Sequence, residues 1–585
     1  MSQKRKKSKK KMMCHSKIKV LVQSNYSRMV TGFGKNMKNI LLALHEDPDI
    51  EVVEAANGVQ YGRDMQTPWE CYGTYPVDQN TLQAIQSDPA KKRAAQYGFY
   101  DIDKIVEKVK PDIFLGIEDV WAFRQYETKP WWNTTTKVIW TTLDSLPILE
   151  DAFKLEPKCD KMLVWASFAE EAMKEAGHPN VATVHGAVDY SHFKPLENRN
   201  ELRKLHGLDD SFVIGFVFKN QLRKSVPNIL EGFKIFKAEN PESNAKLLLH
   251  TDWAEKQHGW DIPKYLDEKK IDSKDVLATY VCHKCDDYFL QGYSGEEKDC
   301  SSCGGKKCVK TKNSGRGVRE KELNEIYNIM DVYCHPFTSG GQELPIQEAK
   351  AAGLITLVTD YSCGTDSAYE HQGGLPLSWH EYREPQTQFI KATTDPDSIA
   401  SRLKQVYEMD EESKSKLIQT GMKYVQDEFS VQNTIKKLKE ILTTVHNKKK
   451  GGIKLKTEDA PKKEKQKQLE DFLQDVELEN RIAVVMPQSG GDVLMVNSLI
   501  ENLNNLYPDK KIFVFTKPEF FDFINDNPFV HRLIPYNQKI DNLYFLEGRG
   551  SHKGYFDMAF TPHCMTQKTY SYTHNGKDKT QFELR

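Results

Sequence analysis

The stretch 331–366, DVYCHPFTSGGQELPIQEAKAAGLITLVTDYSCGTD, constrains the fold more than any other part of the chain. DVYCHP is a short β-like run stopped by Pro336, and a small-residue loop, Thr338-Ser339-Gly340-Gly341, follows it. The pattern then predicts a helix from Leu344 to Ala352, with Pro345 in its first turn, where a missing N–H has no partner to lose. LITLVTD reads as a second buried strand, closed by the turn residues Ser362 and Gly364. Strand, glycine loop, helix and strand make the βαβ unit of a doubly wound parallel sheet. Backbone N–H groups in such a loop and at the helix start suit a diphosphate. Glu348, one turn into the helix, is placed to accept hydrogen bonds from a ribose. The same residues also fit a solvated helix face behind a loop that only turns.

At 585 residues the chain exceeds one hydrophobic core, so two to four domains are expected. No run reaches the ~18–20 apolar residues of a membrane span, and the N-terminus lacks the apolar core of a signal peptide. Five of the 11 cysteines fall within 282–308 and the rest are scattered, which points to reduced thiols with one metal site and to the cytoplasm. Charge is unevenly distributed. Residues 4–11, KRKKSKKK, carry seven positive charges, and 448–467 carries nine Lys against three acids. Removing both from a net charge of −1 leaves about −14 on the remainder. An acidic body is a poor general nucleic-acid surface, whereas basic segments can touch anionic membrane or nucleic acid, or simply stay solvated.

Along the chain, strands and helices alternate from Ile18. IKVLVQSN is a buried strand, Thr31-Gly32-Phe33-Gly34 a Gly-flanked turn, NMKNILLALHE an amphipathic helix and IEVVEAA a strand. A helix near 101–109 and strands at 112–119, 137–144 and 161–167 continue the alternation, which predicts a parallel sheet covered on both faces. Asp119 and Asp144 sit at strand ends, on the side where such sheets bind ligands. Asp144 is an acceptor-site and catalytic candidate, although a turn or N-cap role is the commoner one for such an Asp. FVIGFVF opens a second α/β region, and the cations Lys219, Arg223 and Lys224 precede a helix starting around Pro227 and Asn228. Cations there are placed to neutralise a diphosphate leaving group. Cys282, Cys285, Cys300 and Cys303 give C-x2-C-x14-C-x2-C, the spacing of two knuckles around tetrahedral zinc. A closed site of four cysteines is structural, so no catalytic metal is expected. His283 and Cys308 are read as bystanders, although Cys308 has the chemistry to replace a ligand.

LPIQEAKAAGLITLVTD resembles the nucleotide-sugar site of family 4 (group 1) glycosyltransferases, EGFGLPxxEAMAxG followed by a hydrophobic strand. VATVHGAVDYSHFKPL resembles that family's interdomain signature, and EIYNIMDVYCHPFTS its LYxxADVFVxPS. The resemblance covers about 18–445. It implies an α/β fold of two Rossmann-like domains facing a cleft (GT-B), and a retaining transfer of a hexose from a nucleotide sugar. The acceptor it leaves open: a glycan, a lipid-linked group or a protein. It places Gly32 and Gly34 near the donor phosphates and puts Lys219 in the family's Arg place and Lys224 in its Lys place, beside Arg223. Glu348 falls on the ribose-binding Glu. The first Glu of the family's pair falls on Gly340, and Glu343, five residues from Glu348, does not match by spacing. With Gly32, Gly34 and Arg223, the residues Thr338, Ser339, Gly340, Gly341, Glu343 and Glu348 make up the expected donor-binding set.

GDVLMVNSLIENLNNLYP and NPFV resemble the N-terminal half of family 9 (heptosyltransferase-like) glycosyltransferases, which makes Asp492 a candidate for a second-module site. The expected organisation is a basic tail at 1–17, a first Rossmann-like domain at 18–196 and a donor domain at 197–445 with a zinc-ribbon insertion at 280–310. A Lys-rich linker at 446–475 and a third Rossmann-like half module at 476–585 complete it. Two other classes fit the sequence: a non-catalytic binding protein that kept the fold, and a nucleic-acid-associated protein using ribbon and tails.

Overall fold

The computed structural model describes residues 17–29, 31–86, 88–255, 257–313, 316–450, 480–486, 490–536, 555–560, 571–574 and 577–580. The basic tail at 4–11 lies outside these residues, as does all but the start of the expected linker. The chain divides into two units, Met1–Lys454 and Leu455–Arg585.

The first unit holds two large sheets. Strands β1 (Ile18–Asn25), β2 (Ile50–Gln60), β3 (Glu70–Tyr75), β4 (Ile113–Ile117), β5 (Thr136–Thr141), β6 (Lys161–Val164) and β7 (Val181–Thr183) form a sheet in the order β3-β2-β1-β4-β5-β6-β7. Every pairing in it is parallel. Parallel strands need crossovers, which cover both faces, so β4 and β5 are buried at every residue. One face packs Leu21, Phe114, Ile139 and Met162 against Ile105 and Trp132; the other packs Val20, Leu115, Val138 and Leu163 against Ile40 and Leu44.

The second sheet contains β8 (Val213–Val217), β9 (Lys246–His250), β10 (Val276–Cys282), β11 (Tyr288–Gly292), β12 (Val309–Thr311), β13 (Val332–His335), β14 (Ile355–Thr359) and β15 (Gly374–Leu377). Its order is β11-β10-β9-β8-β13-β14-β15, with β12 also on β10. The strands from β10 through β15 in that order are parallel, and only β11 and β12 run antiparallel. These two strands belong to the cysteine-rich insertion, which is therefore built onto the sheet rather than hung from it. The helix at Leu344–Ala351 and the strand β14 reproduce the predicted βαβ unit.

The last helix of this unit, Val431–Lys450, returns to the first sheet. Its Leu438 and Leu442 are buried among Val20 and Ile40, and Lys439 pairs with Asp47 and Asp49. The helix continues through 446–450, residues that the charge pattern assigns to the linker. Leu438, Leu442 and a partly buried Val445 carry the apolar stripe up to that boundary, and the helix runs on past it.

The second unit has a parallel sheet of Arg481–Val485, Lys511–Thr516, Val530–Pro535 and Met558–Phe560, covered on one face by the helix Gly490–Leu506. Asp492 lies in the first turn of that helix. No helix among the described residues is long and apolar enough to cross a membrane.

Candidate active site

The two sheets of the first unit meet at the loop 338–343, which follows β13. A Cβ placed on Gly341 would lie 2.5 Å from Thr142 Cβ and 2.7 Å from Asp144 Oδ1, so only glycine lets the loop seat against the end of β5. The amide of Gln342 completes the contact by accepting from Gly186 N at 2.6 Å and donating to Gly186 O at 3.0 Å. Ser339 Oγ lies 2.9 Å from Ser145 Oγ, and Lys391 Nζ donates to both, at 2.8 and 2.9 Å.

At the centre of the loop is a buried charge cluster. The Glu343 carboxylate takes Arg223 Nη1 on one oxygen and Lys224 Nζ on the other, and His335 Nε2 is 3.3 Å from it. Lys224 and Glu343 are 3% and 4% exposed, whereas Arg223 reaches the surface at 38%. Burial works against ionising Glu343, but Arg223 and Lys224 hold it well below the usual carboxylate range. Burial and the neighbouring Arg223 push Lys224 down to about 8, and burial pushes His335 down to about 4, leaving it neutral. A Cβ placed on Gly340 would lie 2.8 Å from Glu343 Oε1 and 3.2 Å from Arg223 Nη1. The Glu343 carboxylate therefore occupies the space into which a side chain at position 340 would point. Sequence spacing could not show this, because the chain turns at the glycines and folds residue 343 back.

Glu348 lies one turn further on, nearly buried. Tyr327 donates to its Oε2 at 2.8 Å, and Lys35 of the first domain approaches Oε1 at 3.7 Å.

Beside the loop, a pocket of about 220 Å³ is lined by Asp119, Trp121, Asp144, Glu384, Phe389 and Lys391, among others. Thr142 donates to Asp119 at 2.6 Å, and burial raises the Asp119 pKa. Behind it, burial pushes the fully enclosed Glu118 up to about 8, with Asn57 Nδ2 donating to it at 3.1 Å. Glu384, Phe389 and Lys391 come from the hairpin Trp379–Arg383 and Ile390–Thr394. The sequence reading missed this hairpin because its alternation is weak and one of its strands is almost wholly exposed. It also passed over His335 and Glu118, each of which reads as one more polar residue at the end of an apolar run.

Three sets of predicted residues sit differently from the local pattern. Lys219 is exposed and takes no part in the charge cluster; Arg223 is the residue at Glu343, because the chain turns through Leu222–Lys224 before the helix Val226–Glu239 and brings both 223 and 224 to that carboxylate. The loop amides are not all free to bind phosphate: Thr338 N donates to Arg223 O at 2.8 Å and Gly340 N to Ser362 Oγ at 3.1 Å. Gly32 and Gly34 form no open turn. They belong to the first turn of the helix Gly32–Glu46, capped by Thr31, which accepts from Gly34 N at 3.0 Å. Asp144 lines the pocket as the strand-end reading requires.

The ribbon brings Cys282, Cys285, Cys300 and Cys303 together, with all four sulfurs within 4.8 Å of one another. The Sγ separations of Cys282–Cys303 and Cys285–Cys300 are 3.7 Å. Tetrahedral zinc with Zn–S of ~2.3 Å spaces its sulfurs by ~3.8 Å, so the donor set fits such an ion. Lys284 N donates to Cys282 Sγ at 3.3 Å, as a knuckle requires. Cys308 is a fifth thiol, 3.5 Å from Cys282 Sγ.

Two parallel α/β sheets of Rossmann type, facing across a cleft and bridged by a returning C-terminal helix, define the GT-B architecture. No family model and no curated protein matches the sequence. Among solved structures, sucrose-phosphate synthase from Thermosynechococcus elongatus is similar at 12% identity and a TM-score of 0.51, over 73% of this chain and 99% of that one. Anabaena HepE in complex with UDP is similar at 12% identity, TM-score 0.49, over 73% and 100%. An α,α-trehalose 6-phosphate synthase from Burkholderia multivorans is similar at 11% identity, TM-score 0.49, over 74% and 98%. At 12% identity the likeness to the sucrose-phosphate synthase bears on the fold alone.

Proposed function

We propose that the first unit is a glycosyltransferase that moves a hexose from a nucleotide-sugar donor, with retention, to a hydroxylated acceptor. The observation that carries this reading is the convergence of Arg223, Lys224 and Glu343 at the Gly340 position, in the loop that leads into the helix of Glu348 and beside the pocket at Asp119 and Asp144. Two cations against one buried carboxylate leave a net positive charge where a diphosphate leaving group needs it, and charge there counts most as the glycosidic bond breaks. Glu348 is placed to hold the ribose. Ser145, Ser339 and Lys391 hold the two domains in register, so that acceptor and donor meet in line. No step needs a metal. The four ribbon cysteines would hold zinc, which would supply folding energy rather than chemistry. The acceptor is a glycan, a lipid-linked group or a protein, and the basic segments at 4–11 and 448–467 would favour anionic membrane or nucleic acid. The second unit, with Asp492 in its first helical turn, would serve acceptor or partner binding.

One observation favours a non-catalytic binding protein instead: the cations are already neutralised in part by Glu343. A thermal-shift panel of nucleoside diphosphates and their sugars, followed by donor hydrolysis, separates these readings. A ligand bound only by the native state raises the melting temperature. No shift with any nucleoside diphosphate would sink the transferase, and a shift without turnover would favour the binding protein.

A further inference from the structure

The cysteine ribbon has a geometric consequence at the cleft. Strand β11 occupies one edge of β10 over Leu277–Val281. The other edge is shared: β9 pairs with Val276–Ala278, and β12 pairs with Tyr280–Cys282. Because β9 runs parallel to β10 and β12 antiparallel, their C-terminal ends meet head-on. Lys312, the residue after β12, donates its backbone N–H to Thr279 O at 2.9 Å and so stands where β9 ends at His250. The carboxyl ends of parallel strands are where such sheets open their ligand crevice. Tyr293, just beyond β11, stacks on Trp253 in the segment following β9 at 4.5 Å and 12° between planes, which fastens the ribbon to this crevice.

The groups around the Lys312 side chain call for an anion. Burial lowers the Lys312 pKa, Asp252 alone supports its charge, and Lys35, across the cleft, disfavours it. Among the described residues no carboxylate forms an ion pair with the Lys312 ammonium. Lys35 itself reaches Glu348 at 3.7 Å. Thr251, fully buried beside His250, has a hydroxyl with no hydrogen-bond partner among the described residues. Lys35 thus acts on Lys312 and reaches Glu348, the carboxylate assigned to the ribose, while Thr251 leaves an unused hydroxyl at the end of β9, which Lys312 adjoins.

We propose that Lys312 is a phosphate-binding residue for the nucleotide part of the donor, and that the ribbon's metal holds it there. The inference rests on the glycosyltransferase reading above. It makes the ribbon part of the donor site: Cys282 ends the strand against which β12 is aligned, so loosening the metal knuckle releases the register that places Lys312.

The test uses the full chain and calorimetric titration with UDP, ADP and GDP and with the matching nucleosides. Lys312→Met is expected to keep its metal and its melting temperature and to bind the preferred diphosphate about tenfold or more weakly, the scale of one charge-assisted hydrogen bond. The nucleoside should bind both proteins equally. Lys312→Arg should stay within about threefold of wild type, since the charge is retained. Removing the metal with a chelator should weaken wild-type binding by a factor like that of Lys312→Met and weaken Lys312→Met no further, because both perturbations remove the same contact. Unchanged diphosphate affinity in Lys312→Met, an equal loss for the nucleoside, or an Arg variant as weak as Met overturns the phosphate role. Undiminished wild-type affinity after chelation overturns the metal coupling. Failure of the wild type to bind any of the three diphosphates overturns the underlying reading instead, which separates the two failures.

Discussion

Glu343→Gln is the most informative substitution in the cleft, because its effect passes through a neighbour. In the native cluster Lys224 is buried and its pKa lies at about 8, even with the Glu343 carboxylate supporting its charge. An opposite charge at ~4 Å in an effective dielectric of ~20 contributes about 4 kcal/mol. Replacing it by a neutral amide therefore moves the Lys224 titration down by about three pH units, at ~1.4 kcal/mol each. At pH 7 the variant's Lys224 is neutral and Arg223 is the remaining cation of the pair. Affinity for a nucleoside diphosphate should fall about 10- to 100-fold at pH 7, the range for losing a hydrogen bond to a charged group. It should recover as the pH is lowered towards 5, where Lys224 regains its proton. Wild type, with Lys224 charged throughout that range, should show no such recovery. Because the variant sheds the charge rather than stranding it, its stability at pH 7 should fall by less than the ~3–5 kcal/mol of a broken buried ion pair. The assay is calorimetric titration at several pH values, with urea unfolding in parallel. Wild-type affinity at pH 7 with no pH dependence would show that Lys224 does not serve the ligand, and the argument would fail.

Other outcomes follow from the same structure. Glu348→Ala should act mainly on the donor KM, because a ribose contact remote from the breaking bond is nearly uniform binding; a fall in kcat at unchanged KM would place Glu348 at the reacting centre. Glu118, raised to about 8 in the folded state against an ordinary value of 4.5, keeps a proton that the unfolded chain has lost between those values. Its contribution is therefore complete below about pH 4.5 and is lost as pH rises through about 8. Glu118→Gln should flatten the decline in urea midpoint between pH 5 and 8, and identical slopes in the two proteins would refute that. Protein purified reduced and without chelator should carry one zinc per chain, and metal analysis well below one equivalent would refute the four-cysteine metal site. Truncation after residue 479 should leave nucleoside diphosphate affinity unchanged, since every residue assigned to the donor lies in the first unit; weakened binding by a folded, monodisperse truncate would argue otherwise.

The sequence by itself determined the repeating parts of this protein. Apolar runs such as IKVLVQSN and LITLVTD, broken by glycine turns and followed by amphipathic segments, admit few folds other than parallel sheets with helices on both faces. The two CxxC pairs determine a four-cysteine cluster, because two knuckles at that spacing bring four sulfurs together. Each of these signals is local, so a short window of the chain carries all of it. What only the tertiary structure decided is which charges meet. Glu343 misses the expected position by three residues in sequence and reaches it in space, because Gly340 leaves the volume empty and the chain folds back into it. Arg223, and not Lys219, reaches Glu343, because the turn before the helix Val226–Glu239 brings residues 223 and 224 to that carboxylate and leaves 219 in solvent. Lys391 enters the cleft from a hairpin with hardly any alternation, and Lys312 follows a strand, β12, that is positioned by its pairing with β10. A side chain's direction depends on turn geometry and on the packing of distant strands, and neither is written in the periodicity of the residues that carry the charge.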